Sequence, residues 1–116
     1  IEDIAVAADE VPEAGAAPLR NQSGRFFLIN NPDGLLAMYS RCTHQGCNVD
    51  WENSRDRFHC PCHGSTFDRH GQVTSGPASR PLDLMLVNVQ AAGSVIVTPG
   101  PLRTRDKREP SQSVET

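Results

Sequence analysis

All four cysteines of this chain lie between positions 42 and 62, and two of its four histidines stand among them. They form two compact boxes, Cys42-Thr43-His44-Gln45-Gly46-Cys47 and Cys60-Pro61-Cys62-His63-Gly64-Ser65. Thiols and imidazoles at such short range call for a soft cation, for disulfides, or for both. Any fold for this chain must therefore bring two short loops together and brace them.

The rest of the sequence reads as the brace. With 116 residues, 37% of them hydrophobic, the chain makes one domain and fills one core. Nine Gly and nine Pro mean frequent turns. Ile4–Val6 reads as a short edge strand. Phe26–Ile29, the turn Asn31-Pro32-Asp33-Gly34 and Leu35–Tyr39 read as a hairpin. Short strands are expected at Val49–Trp51, Arg57–His59 and Thr66–Asp68. Leu82–Val89 is the strongest strand signal, with Leu82, Leu84 and Leu86 on one face and Met85, Val87 and Val89 on the other. Ala91-Ala92-Gly93 turns the chain into a β-rich run, Ser94–Thr98. No segment carries a sustained 3.6-residue apolar period. The expected fold is all-β, an antiparallel sandwich or small barrel over residues 1–102. A subdomain of about 41–81, which holds both boxes, is inserted into it. Residues 103–116 are nearly devoid of apolar side chains and read as a flexible tail.

Charge excludes one class of function. Residues 1–40 sum to −4, residues 41–100 to 0 and residues 101–116 to +1, which gives the total of −3. No basic face emerges from that tally, so no nucleic-acid partner is expected. No run of 18 apolar residues exists to cross a membrane. The first residue is Ile1 rather than Met, as expected of a processed or trimmed piece whose membrane anchor lies outside this chain.

Three readings of the boxes stay open on spacing alone. Zinc favours C-x2-C knuckles, whereas Cys60 and Cys62 are two apart and Cys42 and Cys47 five apart. Two disulfides would leave His44 and His63 without a role. The third reading pairs Cys42 with His44 and Cys60 with His63 as two similar half-sites, after which Cys47 and Cys62 can bridge the loops.

The boxes resemble the two signature motifs of Rieske iron–sulfur proteins, C-T-H-x-G-C and C-P-C-H-G-S. The likeness continues through Phe67-Asp68, Gly71, Val73 and Gly76-Pro77-Ala78, and covers about residues 24–98. This resemblance implies a [2Fe–2S] cluster with Cys42 and Cys60 on one iron and His44 and His63 on the other. It implies a Cys47–Cys62 disulfide between the loops, with Gly46 and Gly64 inside them, and a third loop at Gly76-Pro77-Ala78. It implies that Ser65 donates its hydroxyl to a bridging sulfide. Phe67 stands where high-potential members carry Tyr, which implies a lower potential here. Gln45 stands at the docking tip, where quinol-oxidising members often carry Leu. Formal charge explains the mixed ligands. Two ferric ions, two sulfides and two thiolates sum to about zero, whereas four thiolates would give −2. The mixed set therefore accepts an electron at about −150 to +300 mV, against about −400 mV for plant-type ferredoxins.

By the same resemblance the chain is expected to transfer single electrons within a quinol–cytochrome c oxidoreductase. Its partners would be a quinol-oxidising cytochrome b and a c-type cytochrome or copper protein. The extra cysteine pair points to an oxidising, periplasmic or equivalent compartment. A stand-alone Rieske ferredoxin and the small subunit of a periplasmic molybdenum oxidase such as arsenite oxidase are the alternatives. No catalytic acid, base or nucleophile is identified. His59, His70, Trp51, Arg41 and Arg57 read as packing or solvated-surface residues.

Overall fold

A computed structural model describes residues 2–116. Its strands are β1 (Ile4–Val6), β2 (Leu19–Asn21), β3 (Phe26–Asn31), β4 (Gly34–Tyr39) and β5 (Asp50–Glu52). They continue as β6 (Arg57–His59), β7 (Thr66–Phe67), β8 (Val73–Ser75), β9 (Leu84–Val89) and β10 (Val95–Arg103). Six form one antiparallel sheet in the order β1-β10-β9-β4-β3-β2, and four form a second in the order β5-β6-β7-β8. Short 3-10 turns are the only helical pieces among the described residues. The all-β expectation holds.

The small sheet is an insertion. β4 pairs directly with β9, placing Ala37 opposite Met85 and Met38 opposite Leu84. The chain therefore leaves the large sheet after Tyr39 and re-enters at the neighbouring strand. Both boxes lie on that excursion.

Consecutive apolar residues in β3 and β4 follow from burial on both faces. Phe27, Ile29, Leu36 and Met38 pack toward the insertion, against Phe58, Phe67, Cys42 and Cys60. Phe26, Leu28, Leu35 and Ala37 pack the other way, against Val6, Met85, Val87, Val95 and Val97. Two apolar clusters thus share one sheet, where composition suggested a single core. The hairpin pairs Phe26 with Tyr39 through to Asn31 with Gly34, which leaves Pro32-Asp33 as a two-residue turn.

Three expectations need correction. Leu86 does not share the buried face of Leu82 and Leu84. It is 46% exposed, because cover by the insertion ends at Leu84. The strands β2 and β8 were not expected. Each has a single apolar residue, and its backbone pairing with β3 or β7 supplies what the pattern lacks.

The third correction concerns residues 103–116, which are not a free tail. β10 runs to Arg103, so the boundary at 102 falls inside a strand. Arg105 is buried and donates to the carbonyls of Leu82 at 2.9 Å and His70 at 2.6 Å, and to Gln112 Oε1 at 2.6 Å. Leu35 and Val114 exchange both backbone hydrogen bonds, at 2.7 and 2.9 Å. A turn at Pro110–Gln112 is closed by reciprocal capping between Glu109 and Gln112. Composition misses this segment because guanidiniums and backbone groups do most of the holding, and Val114 is the one apolar side chain that packs against the core.

Candidate metal centre

The two boxes fold the same way. The Cys42 carbonyl accepts the Gly46 amide at 2.9 Å, and the Cys60 carbonyl accepts the Gly64 amide at 3.0 Å. The Cys42 amide donates to the Cys47 carbonyl at 2.7 Å, and the Cys60 amide donates to the Ser65 carbonyl at 2.8 Å. Gly46 and Gly64 hold nearly equal positive φ values of 76° and 80°. Each box is therefore one tight loop that closes on its own first cysteine. The first springs from a bridge between Arg41 and Asn48, and the second from the end of β6.

Cys47 and Cys62 form a disulfide that ties the two loops together. Cys42 and Cys60 remain free thiols, both buried. The Cys60 sulfur lies within 4.8 Å of both disulfide sulfurs. Those two are oxidised, so the three do not make a thiolate trio. The rings of His44 and His63 stand edge to face with centroids 4.9 Å apart. His63 and Gln45 are exposed and His44 is half-buried. The loops thus present two imidazoles at the surface over two thiols in the interior.

The third loop locks onto both boxes. Ser65 is buried, and its Oγ accepts the Ala78 amide at 3.1 Å. Thr43 Oγ1 donates to the Arg80 carbonyl at 2.6 Å. Gly76, at φ +93°, passes so close that an added Cβ would stand 2.5 Å from the Ser65 Cα. No side chain fits there, so Gly76 is required by contact as well as by conformation. Pro77 beside it is exposed. Phe67 is fully buried and shares its apolar cluster with Cys42 and Cys60.

The site fits a metal group. His44 Nδ1 is buried without a hydrogen-bond partner. An orphaned imidazole nitrogen costs about 1–3 kcal/mol unless something binds it. Burial pushes the Cys42 thiol above its ordinary value, the neighbouring Cys60 adds to this, and the His44 amide and Ser65 hydroxyl oppose it. A bound cation reverses that preference, because thiolates are its ligands. Two thiols and two imidazoles form a donor set suited to a soft, low-charge iron–sulfur group.

Of the remaining sequence candidates, Arg41 is hydrogen-bonded to the first box. Trp51 packs edge to face on Phe58 with centroids 4.9 Å apart, and the Arg69 guanidinium covers its ring. Arg57 donates to Glu52 at 2.7 Å. Arg41 is exposed, and its Nε donates to the Gly46 carbonyl at 2.7 Å. His59 is half-buried in β6. His70 is half-buried rather than part of the solvated surface. Its Nε2 lies 3.1 Å from Asp33 Oδ1, with Arg108 beside both. The turn that carries it is covered by the C-terminal segment, which no local pattern foretold. Sequence reasoning also passed over Thr43 and Arg80. A hydroxyl inside a tight box is a loop-tethering signal that could have found the first.

Comparison with known proteins agrees with this geometry. The family model for the Rieske [2Fe-2S] domain matches residues 4–96. The cytochrome b6-f complex iron-sulfur subunit 2 of the Cyanophora paradoxa cyanelle is 47% identical over 76 residues, 63% of this chain and 32% of that protein. The corresponding subunit of Chlorobaculum tepidum is 31% identical over 91 residues, 78% of this chain and 50% of that protein. The chain thus spans about a third to a half of the length of these relatives. Among solved structures, the plasma-membrane Rieske protein of Synechocystis PCC 6803 aligns with a TM-score of 0.51 at 27% identity, over 72% of this chain and 99% of that one. The ferredoxin of carbazole 1,9a-dioxygenase from Nocardioides aromaticivorans has the same fold, with a TM-score of 0.54 at 20% identity, over 84% of this chain and 97% of that one. With two matched boxes, a disulfide between them and a family match over most of its length, the chain belongs to the Rieske [2Fe-2S] domain family.

Proposed function

We propose that this chain is the electron-carrying domain of a quinol-oxidising complex of the cytochrome bc type. One observation carries the reading. Two free buried cysteines and two adjoining imidazoles share a pair of loops clamped by a disulfide. In this reading Cys42 and Cys60 hold one iron and His44 and His63 the other. When bound, such a cluster takes up and releases one electron at a time. The chain supplies the rest. The buried thiols set a low-dielectric floor, Ser65 and Ala78 fix the covering loop, and the two rings face the surface where a donor or acceptor can reach them. Gln45 stands exposed beside His44 at that tip.

The relatives named above are subunits of cytochrome b6-f complexes. Their likeness supports a cytochrome b as neighbour, and in this reading a c-type cytochrome or copper protein is the acceptor. The disulfide supports an extracytoplasmic location. The ferredoxin reading is weaker, because that neighbour shares the fold at only 20% identity.

The test is direct. Purified protein should hold iron and acid-labile sulfide in equal amounts. It should also give an EPR signal on reduction that carries nitrogen couplings from two imidazoles. His44→Cys should remove one of the two couplings. Iron without labile sulfide, or a reduced signal lacking nitrogen coupling, overturns the ligand assignment.

A further inference from the structure

Three guanidiniums from separate stretches of chain meet on the flank of the first box. Arg20 lies in β2, Arg25 in the turn before β3, and Arg41 next to Cys42. Together with Ser40 and Asn48 they line a polar cleft of about 390 Å³ that has no acidic residue in its wall. Asp50 pairs with Arg20 at 3.1 Å. Arg25 and Arg41 have no ion pair among the described residues, so two of the three charges are uncompensated. Glu2 and Asp3 line the next hollow, which Arg25 also borders, without pairing to it. Asp83, which borders the hollow beside the first box, is engaged by Arg80, and Glu52 and Asp56 are engaged by Arg57 and Arg69. A chain of net charge −3 therefore turns a positive flank toward its cluster end.

The flank is built rather than incidental. Arg25 holds φ +57°, a left-handed conformation that a non-glycine residue keeps only under constraint, and its carbonyl accepts the Ser40 amide at 2.8 Å. Arg41 spends only its Nε on the Gly46 carbonyl, and its terminal nitrogens bond to nothing among the described residues. Arg41 also lies within reach of anything docked on the tip. It precedes His44 by three residues, which span at most about 11 Å. A weak electron-transfer interface covers roughly 600 Å² per partner, a disc of about 14 Å radius.

We infer that this arginine flank is the docking patch for an acidic surface of the protein that exchanges electrons with the cluster. The inference rests on the electron-carrier reading above and adds the partner's chemistry to it. The guanidiniums steer encounter and fix orientation more than they add affinity. Opposed charges then bring the partner's redox group over His44 and His63.

The sign of the salt dependence tests it. The cluster-loaded chain is reduced and mixed with two c-type cytochromes, one strongly acidic and one strongly basic. Ionic strength is varied from about 20 to about 300 mM, which shortens the screening length from about 20 Å to about 6 Å. The expected result is a rate with the acidic cytochrome that falls with salt, against the rise that net charge alone demands. Arg25→Asn, which tolerates the left-handed backbone, should lower the low-salt rate about threefold to tenfold and leave the cluster spectrum unchanged. Arg41→Gln should act in the same direction. A rate with the acidic cytochrome that rises with salt, or two variants with wild-type rates, overturns the inference. Loss of binding to phosphatidylglycerol vesicles in the variants, with unchanged cytochrome rates, overturns it in favour of a membrane surface. Absence of any reducible cluster instead removes the electron-carrier reading on which the inference stands.

Discussion

The buried hydroxyl oxygen of Ser65 accepts the amide of Ala78 at 3.1 Å, so the second box and the loop that covers it share one hydrogen bond. The acceptor side of that hydroxyl is used, and its proton is left to point elsewhere.

Ser65→Ala should therefore have two effects. The Ala78 amide loses its partner in a buried position, which costs about 1–3 kcal/mol of stability. In a loaded site the proton of Ser65 no longer reaches the cluster, so the reduced state loses a donor and the midpoint potential falls. Thermal unfolding and redox titration of the same preparation check both. An unchanged potential with a lowered unfolding temperature would confine Ser65 to holding the loop.

Phe67→Tyr should move the potential the other way. Phe67 is fully buried in the apolar cluster that contains Cys42 and Cys60. On the proposed ligand assignment, the added hydroxyl donates to a ligand sulfur and so stabilises the reduced site. Overpacking by one oxygen costs about 1–3 kcal/mol of stability. A rise in midpoint potential together with a slightly lower unfolding temperature is the expected pair of results. No rise would mean that the new hydroxyl turns away from the sulfurs.

Replacing both Cys47 and Cys62 by Ser separates the clamp from the ligands. The disulfide closes a loop of 15 residues, a constraint worth about 3 kcal/mol on a chain-entropy estimate. The unfolding temperature should fall by about 10 °C. The two boxes would then move independently, and iron and sulfide should be lost faster to a chelator. Calorimetry and timed iron release check the two effects.

The two box loops were legible in the sequence because what shapes them is local. Each box carries its own turn, its own pair of cysteines and its own imidazole, and the hydrogen bonds that shape it run between residues four or five apart. The hairpin of β3 and β4 was legible for the same reason. What stayed hidden is held over long separations. Arg105 reaches Leu82 and His70 from a segment with no apolar signal. Arg69 reaches Asn31 and Asp56 from a turn, and the positive flank gathers arginines from three stretches that a running charge tally scatters. A single buried guanidinium leaves no period in a sequence, so its position is seen only once the sheets are closed.

Asp33 gives the fold an acid-sensitive clasp. Burial pushes its carboxyl up, but the His70 hydrogen bond and charge, its own backbone amide and Arg108 outweigh this and leave it below its ordinary value of 3.8. A carboxyl with a lowered folded value contributes stability that is fully present above about 3.8 and is lost as pH falls through the folded value. Asp33→Asn should lower the unfolding temperature at pH 7 and flatten its decline below about pH 4. Parallel curves for wild type and variant across that window would show that the clasp carries no linkage.

Arg105→Ala tests whether the C-terminal segment belongs to the fold. Burial draws the guanidinium down to about 10, so it is charged at neutral pH and fully engaged. Its loss leaves the carbonyls of Leu82 and His70 and the side chain of Gln112 without their donor. It also opens space against Met38. A destabilisation of about 3 kcal/mol is expected. Arg105→Lys should recover only part of it, because one ammonium cannot span acceptors that a planar fork reaches together. Residues 104–116 should become sensitive to protease in the Ala variant while the cluster spectrum persists, since among the described residues Arg105 makes no hydrogen bond to either box. Wild-type stability and protease resistance in that variant would mean that the Leu35–Val114 backbone pair and the contacts of Arg108 with Asp33 and Gln72 seat the segment without it.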